Sequence, residues 1–225
     1  MFDRIAGSYD RLNHLFSLRI DVAWRRRMLR YVPPVRDLVL LDIATGTADV
    51  LLTFVKRIPL KLGIGIDMSK QMLALGREKI DKAGFDHQLV LLPGNAQSLP
   101  VRDGTADLVT ISFGIRNIPD VPLALREMYR VLNDSGRLLV LEFSLPSNPI
   151  IRNIYLVYFR FILPKIGGWL SGNPGAYGYL NRSVEDFPYG AAFKRLLLEA
   201  GFDRVRVEPL TFGIATLYIA DKQAA

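Results

Sequence analysis

The run Ser112-Phe-Gly-Ile-Arg-Asn117 follows an apolar stretch, Asp107–Ile111, that reads as a buried strand, so an Arg and an Asn arrive side by side just past a strand end. Arg116 supplies fixed cationic donors, and Asn117 both donates and accepts. A second cluster is Asp42–Asp49, D-x-A-x-G-T-x-D, where Ala44, Gly46 and Ala48 alternate. Small residues there let backbone N–H groups approach a ligand, with a helix N-terminus behind them. A dinucleotide loop would read G-x-G-x-x-G, and this one does not, which weakens a pyrophosphate reading. Asp67 closes the next apolar run, where a carboxylate accepts from both hydroxyls of a ribose or, alternatively, caps the helix starting near Ser69. Gly94-Asn95-Ala96 closes a third run, and an Asn beside a small residue suits an adenine edge.

These residues need strands to carry them. Strand-like runs cover Leu38–Ala44, Leu62–Asp67, Gln88–Leu92, Asp107–Ile111 and Arg137–Phe143. Between them, helical patterns cover Ala48–Lys56, Lys70–Ala83 with Ser69 as N-cap and Gly84 as stop, and Val121–Leu132. Continuous apolar strands alternating with helices predict a parallel sheet covered on both faces. A last helix, Ala191–Ala200, leads to "RVRVEPL" and "TFGIATLYIADK", which predict an antiparallel hairpin. The expected architecture is α/β, mostly parallel, with an antiparallel C-terminal hairpin. It is organised as one domain: an N-terminal helical flap (1–36), a cofactor-binding core (37–144), an apolar and basic cover (145–190), and a final helix with hairpin (191–225).

Composition narrows the chemistry. The 225 residues include no Cys and two His, so thiolate metal sites, disulfides and a Cys nucleophile are excluded, and a zinc site or His triad is poorly supplied. No metal site is expected. The net charge is +7, and residues 1–36 carry eight Arg against three Asp. From Pro146 to Val184 there are four basic residues, Arg152, Arg160, Lys165 and Arg182, and no acid. Both segments are rich in aromatic and aliphatic side chains, a mixture that suits nucleic acid or an anionic membrane surface. No targeting peptide is visible at Met1-Phe-Asp-Arg, and Pro149–Leu170 is interrupted by Arg160 and Pro164, so it does not span a bilayer.

The combined spacing of D-x-A-x-G-T-x-D, the acid closing the second strand and G-N-A closing the third resembles the Rossmann-like class I S-adenosylmethionine-dependent methyltransferases. "FDRIAGSYDRLNHLFSLRID", "SFGIRN", "MYRVLNDSGRLLVLEFSLP" and "YLVYFRFILPKIG" resemble, across nearly the whole chain, the quinone C-methyltransferases that finish menaquinone and ubiquinone biosynthesis. That resemblance implies S-adenosylmethionine as cofactor. It implies that Gly46 and Thr47 lie against its methionine portion, Asp67 against the ribose, Asn95 and Ala96 beside the adenine, and Ser112 along the wall. Ala48 departs from the Gly usual in the loop, at a cost of ~1 kcal/mol or less if the position needs positive φ.

The implied reaction is ring C-methylation of demethylmenaquinol, or alternatively of a ubiquinone-precursor benzoquinol. A quinone carbon is electrophilic, so the nucleophile must be the reduced hydroquinol. Arg116 then holds the hydroquinolate oxygen, Asn117 orients it or a water, and Tyr9 arrives from the N-terminal flap to help move the proton. The plainer alternatives are an ion pair of Arg116 with Asp120 or a neighbour, and core packing for Tyr9. His14 reads as packed or solvated, His87 as surface, and Asp42 and Asp49 as orienting loop atoms.

The segment after Ser112 lacks the D/N-P-P-Y/F of enzymes acting on base amines, so no nucleic-acid partner is expected. An RNA-binding protein or RNA methyltransferase is the reading from another class. An isoprenoid substrate implies peripheral contact of Ile150–Trp169 with anionic lipid, and Val22–Arg30 reads as an amphipathic helix on lipid or in water. The expected location is cytoplasmic, against the inner face of the cell membrane, with a homodimer left open.

Overall fold

In a computed structural model, residues 20–162 and 181–223 are described. Tyr9, Asp10 and His14, with residues 163–180 of the cover, lie outside them. The strands are β1 (Leu38–Ile43), β2 (Leu60–Asp67), β3 (Leu89–Pro93), β4 (Ala106–Ser112), β5 (Leu132–Phe143), β6 (Arg204–Leu210) and β7 (Ala215–Asp221). They form one sheet in the order β3-β2-β1-β4-β5-β7-β6. β1 to β5 pair in parallel, β7 runs antiparallel to β5, and β6 antiparallel to β7. The predicted architecture, including the hairpin, is the observed one.

Strand alternation explains why helices cover both faces. Leu41, Ile43, Val109, Ile111, Leu138 and Val140 point to one side, onto α4 (Val121–Val131) and α6 (Ala191–Glu199). Leu40, Leu108, Leu139 and Leu141 point to the other, onto α1 (Ile20–Met28), α2 (Asp49–Val55) and α3 (Lys70–Ala83). Each fully buried Leu or Ile contributes about 1.5–3 kcal/mol, so slipping one strand by a residue would cost the whole face. Ser69 caps α3 by accepting from the Met72 amide, and Gly84 ends it at φ 74°. Asp120 caps α4 through the Leu123 amide at 2.9 Å, with Pro122 in the first turn.

Two expectations are corrected. The fifth strand begins at Leu132, not Arg137, and α4 ends at Val131. The pairing jumps from Ala106↔Leu132 to Leu108↔Arg137, so residues 133–136 bulge outward, with Ser135 at φ 72°. The turn-forming Asn-Asp-Ser-Gly acts as a bulge inside a strand instead of a linker before it. The segment Val22–Arg30 is not solvated all round: Arg26 and Arg30 are exposed, but its other face is covered by protein. α1 buries Asp21, Trp24, Arg25 and Met28 against the protein, the face that an i, i+3, i+4, i+7 spacing produces.

The cover contributes α5 (Pro149–Val157), capped by Asn148 and continued by a π-type turn through Ile162. Its inner face buries Tyr155, stacked at 5.2 Å on Phe159, beside Val184. Asn181 donates from Nδ2 to the Phe159 carbonyl at 2.8 Å, tying the two ends of the cover together. The outer face is apolar too. Ile150, Ile154, Val157 and Phe161 are each more than half exposed. No helix among the described residues is long and apolar enough to cross a membrane.

Candidate active site

The strand order reverses between β1 and β4, and in open α/β sheets a ligand crevice forms at such a point, outside the carboxyl ends. A cleft of about 400 Å³ lies there. Its walls combine polar Asp67, Asn95, Ser112 and Asn117 with apolar Ile66, Met72, Phe113 and Ile118.

The loop after β1 is built from residues in the left-handed region: Ala44 at φ 51°, Gly46 at 55° and Ala48 at 66°. Only Gly takes this conformation without strain, so two alanines are held in it by their surroundings. Ala48 is fully buried. Its methyl lies where α3 comes closest, at Gly76. A Cβ on Gly76 would stand 3.3 Å from the Thr47 carbonyl carbon and 3.5 Å from the Ala48 Cβ. The tightest neighbour of such a Cβ would be the Leu91 Cδ1 at 2.8 Å, so Gly76 lets α3 settle against β3 and the loop together. A Cβ on Gly46, by contrast, would meet nothing within 4 Å.

Asp67 organises this loop. Its Oδ2 accepts from the Gly46 amide at 2.9 Å and its Oδ1 from the Ser69 amide at 2.8 Å. A carboxylate has about four acceptor directions, so two remain for ligand hydroxyls on the cleft side. Asn95 accepts from the Gln97 amide through Oδ1, which leaves its NH₂ as a donor at the rim. Ala96 is buried beside it. The Ser112 hydroxyl donates to the Met28 sulfur at 3.6 Å, linking the cleft wall to α1. Thr47 is buried and does not line the cleft, and its hydroxyl accepts from the Lys79 ammonium at 2.8 Å.

Behind the loop is a chain of charges. Lys79 also binds Asp49 at 2.6 Å, Arg25 approaches the other Asp49 oxygen at 3.3 Å, and Arg25 pairs with Asp21 at 2.9 Å. Asp49 therefore clamps α1 and α3 to the first turn of α2. Asp42 is wholly buried, accepting from the Thr110 hydroxyl at 2.6 Å and the Thr45 hydroxyl at 2.7 Å. Burial pushes its carboxyl up to about 7, against the opposing pull of the two hydroxyls and of Arg25.

Arg116 and Asn117 part company at the turn Ile115–Asn117. Asn117 faces the cleft, and Arg116 points toward β5. There its Nη1 donates to Glu142 Oε1 and to the Phe113 carbonyl, both at 2.7 Å. The guanidinium carbon lies 5.4 Å from the centroid of Phe143. Its Nε is buried and has no hydrogen-bond partner among the described residues. Asp120, the neighbour weighed as an ion-pair partner, is occupied capping α4. Phe113 itself stands at φ 57°, an uncommon backbone for a bulky residue and one that clusters at functional sites. Its ring packs 4.5 Å from Phe143 and 6.0 Å from Trp24.

The sequence did not single out Glu142, Lys79 or Arg25. Glu142 did leave a signal: it is a lone acid in the apolar run "RLLVLEF", at a position where a carboxylate must be buried and therefore paired. Lys79 and Arg25 left none, since charges on helices are ordinarily solvated.

The donors and acceptors in the cleft fit a ligand with a ribose and a flat base. Comparison with known proteins agrees. A 44% identical relative from Thermus thermophilus, a demethylmenaquinone methyltransferase, matches 99% of this chain and 100% of its own length. The ubiquinone/menaquinone biosynthesis C-methyltransferase of Geotalea uraniireducens is 41% identical over 99% of this chain and 94% of its own. A solved S-adenosylmethionine-dependent methyltransferase from Aquifex aeolicus, 18% identical, superposes with a TM-score of 0.63 over 88% of each chain, which speaks to the fold. The family model for the ubiE/COQ5 methyltransferases matches residues 1–222, and the chain belongs to that family.

Proposed function

We propose that this enzyme methylates a ring carbon of demethylmenaquinol to give menaquinol, with S-adenosylmethionine as methyl donor. The observation that carries the reading is the end-to-end match to relatives named for that reaction. When bound, S-adenosylmethionine supplies an electrophilic methyl group on a sulfonium sulfur. Gly46 takes its methionine portion, Asp67 its ribose hydroxyls, Asn95 and Ala96 its adenine, and Ser112 the wall between, with Thr47 held behind the loop by Lys79.

The remaining task falls to the hydroquinol and the turn after β4. Loss of a phenolic proton places electron density on the adjacent ring carbon, which forms the new C–C bond as the S–CH₃ bond breaks. The same carbon then releases its hydrogen as a proton and the ring regains aromaticity. Orientation and stabilisation of the phenolate are the enzyme's share. The Arg116 Nε donor, which has no partner among the described residues, supports a role for Arg116 at the phenolate oxygen, because a buried donor without an acceptor costs about 1–3 kcal/mol unless a ligand supplies one. Asn117 orients that oxygen from the cleft side, and Tyr9 with a water completes the proton path. Arg116 is not the base, because a guanidinium keeps its proton and acts only as a donor.

The exposed stripe Ile150–Ile154–Val157–Phe161 supports peripheral contact with an anionic bilayer, since residues 143–162 carry Arg152 and Arg160 but no acid. The enzyme would then take its isoprenoid substrate from the cytoplasmic face of the membrane. A homodimer contact is the second reading of this stripe, and sedimentation without lipid separates the two. The same chemistry on a ubiquinone-precursor benzoquinol is favoured by the similarity to the Geotalea protein.

Mass spectrometry of quinones after incubation with S-adenosylmethionine and chemically reduced demethylmenaquinone, in anionic vesicles, tests the proposal. One added ring methyl with the reduced substrate, and none with the oxidised quinone, is expected. A preparation that binds the cofactor yet leaves demethylmenaquinol unchanged would overturn it.

A further inference from the structure

Among the described residues, Glu142 is the one strongly buried acid on the cover side of the turn after β4, with 1% exposure. Two contacts hold it to that turn, and a third orients it from its own strand. Its Oε1 accepts from Arg116 Nη1 at 2.7 Å and from the Phe143 amide at 2.8 Å, and its Oε2 faces the Arg116 amide at 3.4 Å. A buried ion pair is weak support for stability, because an apolar pair of similar volume often does as well or better. Its presence here calls for another reason.

A free Arg side chain samples many rotamers, and its planar fork is useful only when aimed. Here the fork is fixed from three directions: Glu142 and the Phe113 carbonyl take Nη1, and the Phe143 ring lies against the guanidinium. What remains is Nη2 and the buried Nε donor, which has no partner among the described residues. The same contacts fix the turn. Phe113 keeps its left-handed backbone with its carbonyl committed to Arg116, and Gly114 is so close to Ala44 that a Cβ would lie 2.6 Å from the Ala44 methyl. Asn117, three residues on, is thereby carried into the cleft wall.

We propose that Glu142 is a positioning residue for methyl transfer, acting through Arg116 by aiming its guanidinium and locking the turn that presents Asn117. This rests on the reading of Arg116 as the group at the phenolate oxygen.

The test is a double-mutant cycle in the full-length enzyme with reduced demethylmenaquinone in vesicles, alongside cofactor affinity and thermal unfolding. Glu142→Gln keeps the volume and one acceptor but removes the charge. A fall in kcat of about 100-fold is expected, the size that misplacing a reacting group by 1 Å produces, with cofactor affinity unchanged. Combined with Arg116→Ala, the same change should slow the enzyme no further, since the residue it aims is gone. If the two losses multiply, or if Glu142→Gln turns over normally, the proposal fails. Should Glu142→Gln not fold, Arg116→Lys provides the second measurement. Lysine keeps the ion pair and thermal stability but lacks an Nε fork, so turnover should drop about 100-fold. Near-normal turnover in that variant would show that the pair supplies charge alone and overturn the proposal. No methylation by the wild-type enzyme would instead count against the functional reading, which the cycle leaves separate.

Discussion

The two sides of the turn after β4 solve opposite problems. On the cleft side, Gly46, Asn117, Asp67 and Asn95 are small or accessible, and Asp67 and Asn95 leave acceptor and donor directions open. On the cover side, Arg116, Glu142, Phe113, Phe143 and Trp24 are large, packed and almost fully committed to one another. A ligand with many polar edges can be held by backbone amides and one carboxylate in a wet crevice. A single developing charge on an aromatic ring needs a fixed cation in a dry one, where electrostatics is stronger. On the proposed roles, recognition and chemistry divide along one short turn.

Removing the cover-side cation should give the largest effect. Arg116→Ala is expected to retain cofactor affinity and lose turnover by about 100- to 1,000-fold, the range for a transition-state donor. Single-turnover kinetics at saturating cofactor measures it, and a near-normal rate would merge the two sides into one binding surface.

The converse belongs to Asp67. Asp67→Ala should weaken cofactor binding about 10- to 100-fold, as expected for hydrogen bonds to a charged group, with a smaller effect on the rate at saturation. Calorimetric titration decides it, and unchanged affinity would remove Asp67 from the ribose site.

Asp42 sharpens the comparison from beneath the cleft. Its folded-state pKa of about 7 lies above that of the unfolded carboxyl, near 3.8. Between these values the folded state holds a proton that the unfolded chain has released, so this group's contribution to stability falls as pH rises from about 4 to 7 and is level above that. Asp42→Asn, neutral at every pH, should remove that slope and raise stability near pH 8 relative to wild type. Thermal unfolding across pH 4–8 checks it, and an unaltered slope would mean that the carboxyl is already charged when buried.

The smallest effect is expected at Ala48. Ala48→Gly relieves a left-handed alanine but surrenders a buried methyl and adds chain entropy, terms of about 1 kcal/mol each with opposite sign. Stability should move by less than about 1 kcal/mol and cofactor affinity should not change. Gly76→Ala, which presses α3 onto the same loop, should do more, destabilising by about 1–3 kcal/mol.

Much of the architecture was legible because its causes are local. Apolar runs of strand length, Ser69 and Gly84 bounding α3, and Asp67 at the end of β2 each announce themselves within a few residues. The start of β5 was misplaced because Asn133–Gly136 has turn chemistry in isolation, and only pairing with β4 and β7 makes it a bulge. α1 was ambiguous because its Arg-rich face looks solvated until Asp21 and Asp49 are placed beside Arg25.

The sequence by itself determined the α/β alternation, the antiparallel ending, the loop of small residues and the family, since periodicity, caps and motif spacing are written along the chain. The tertiary structure alone decided that Arg116 turns to Glu142 while its neighbour Asn117 turns to the cleft, that Lys79 reaches Thr47, and that burial raises the Asp42 carboxyl well above its usual range. Each of these depends on a charge meeting a partner, or losing its water, through strands and helices tens of residues apart. The energy of a buried charge is set by what surrounds it in space, and that information appears only when the crossovers have brought the strands together.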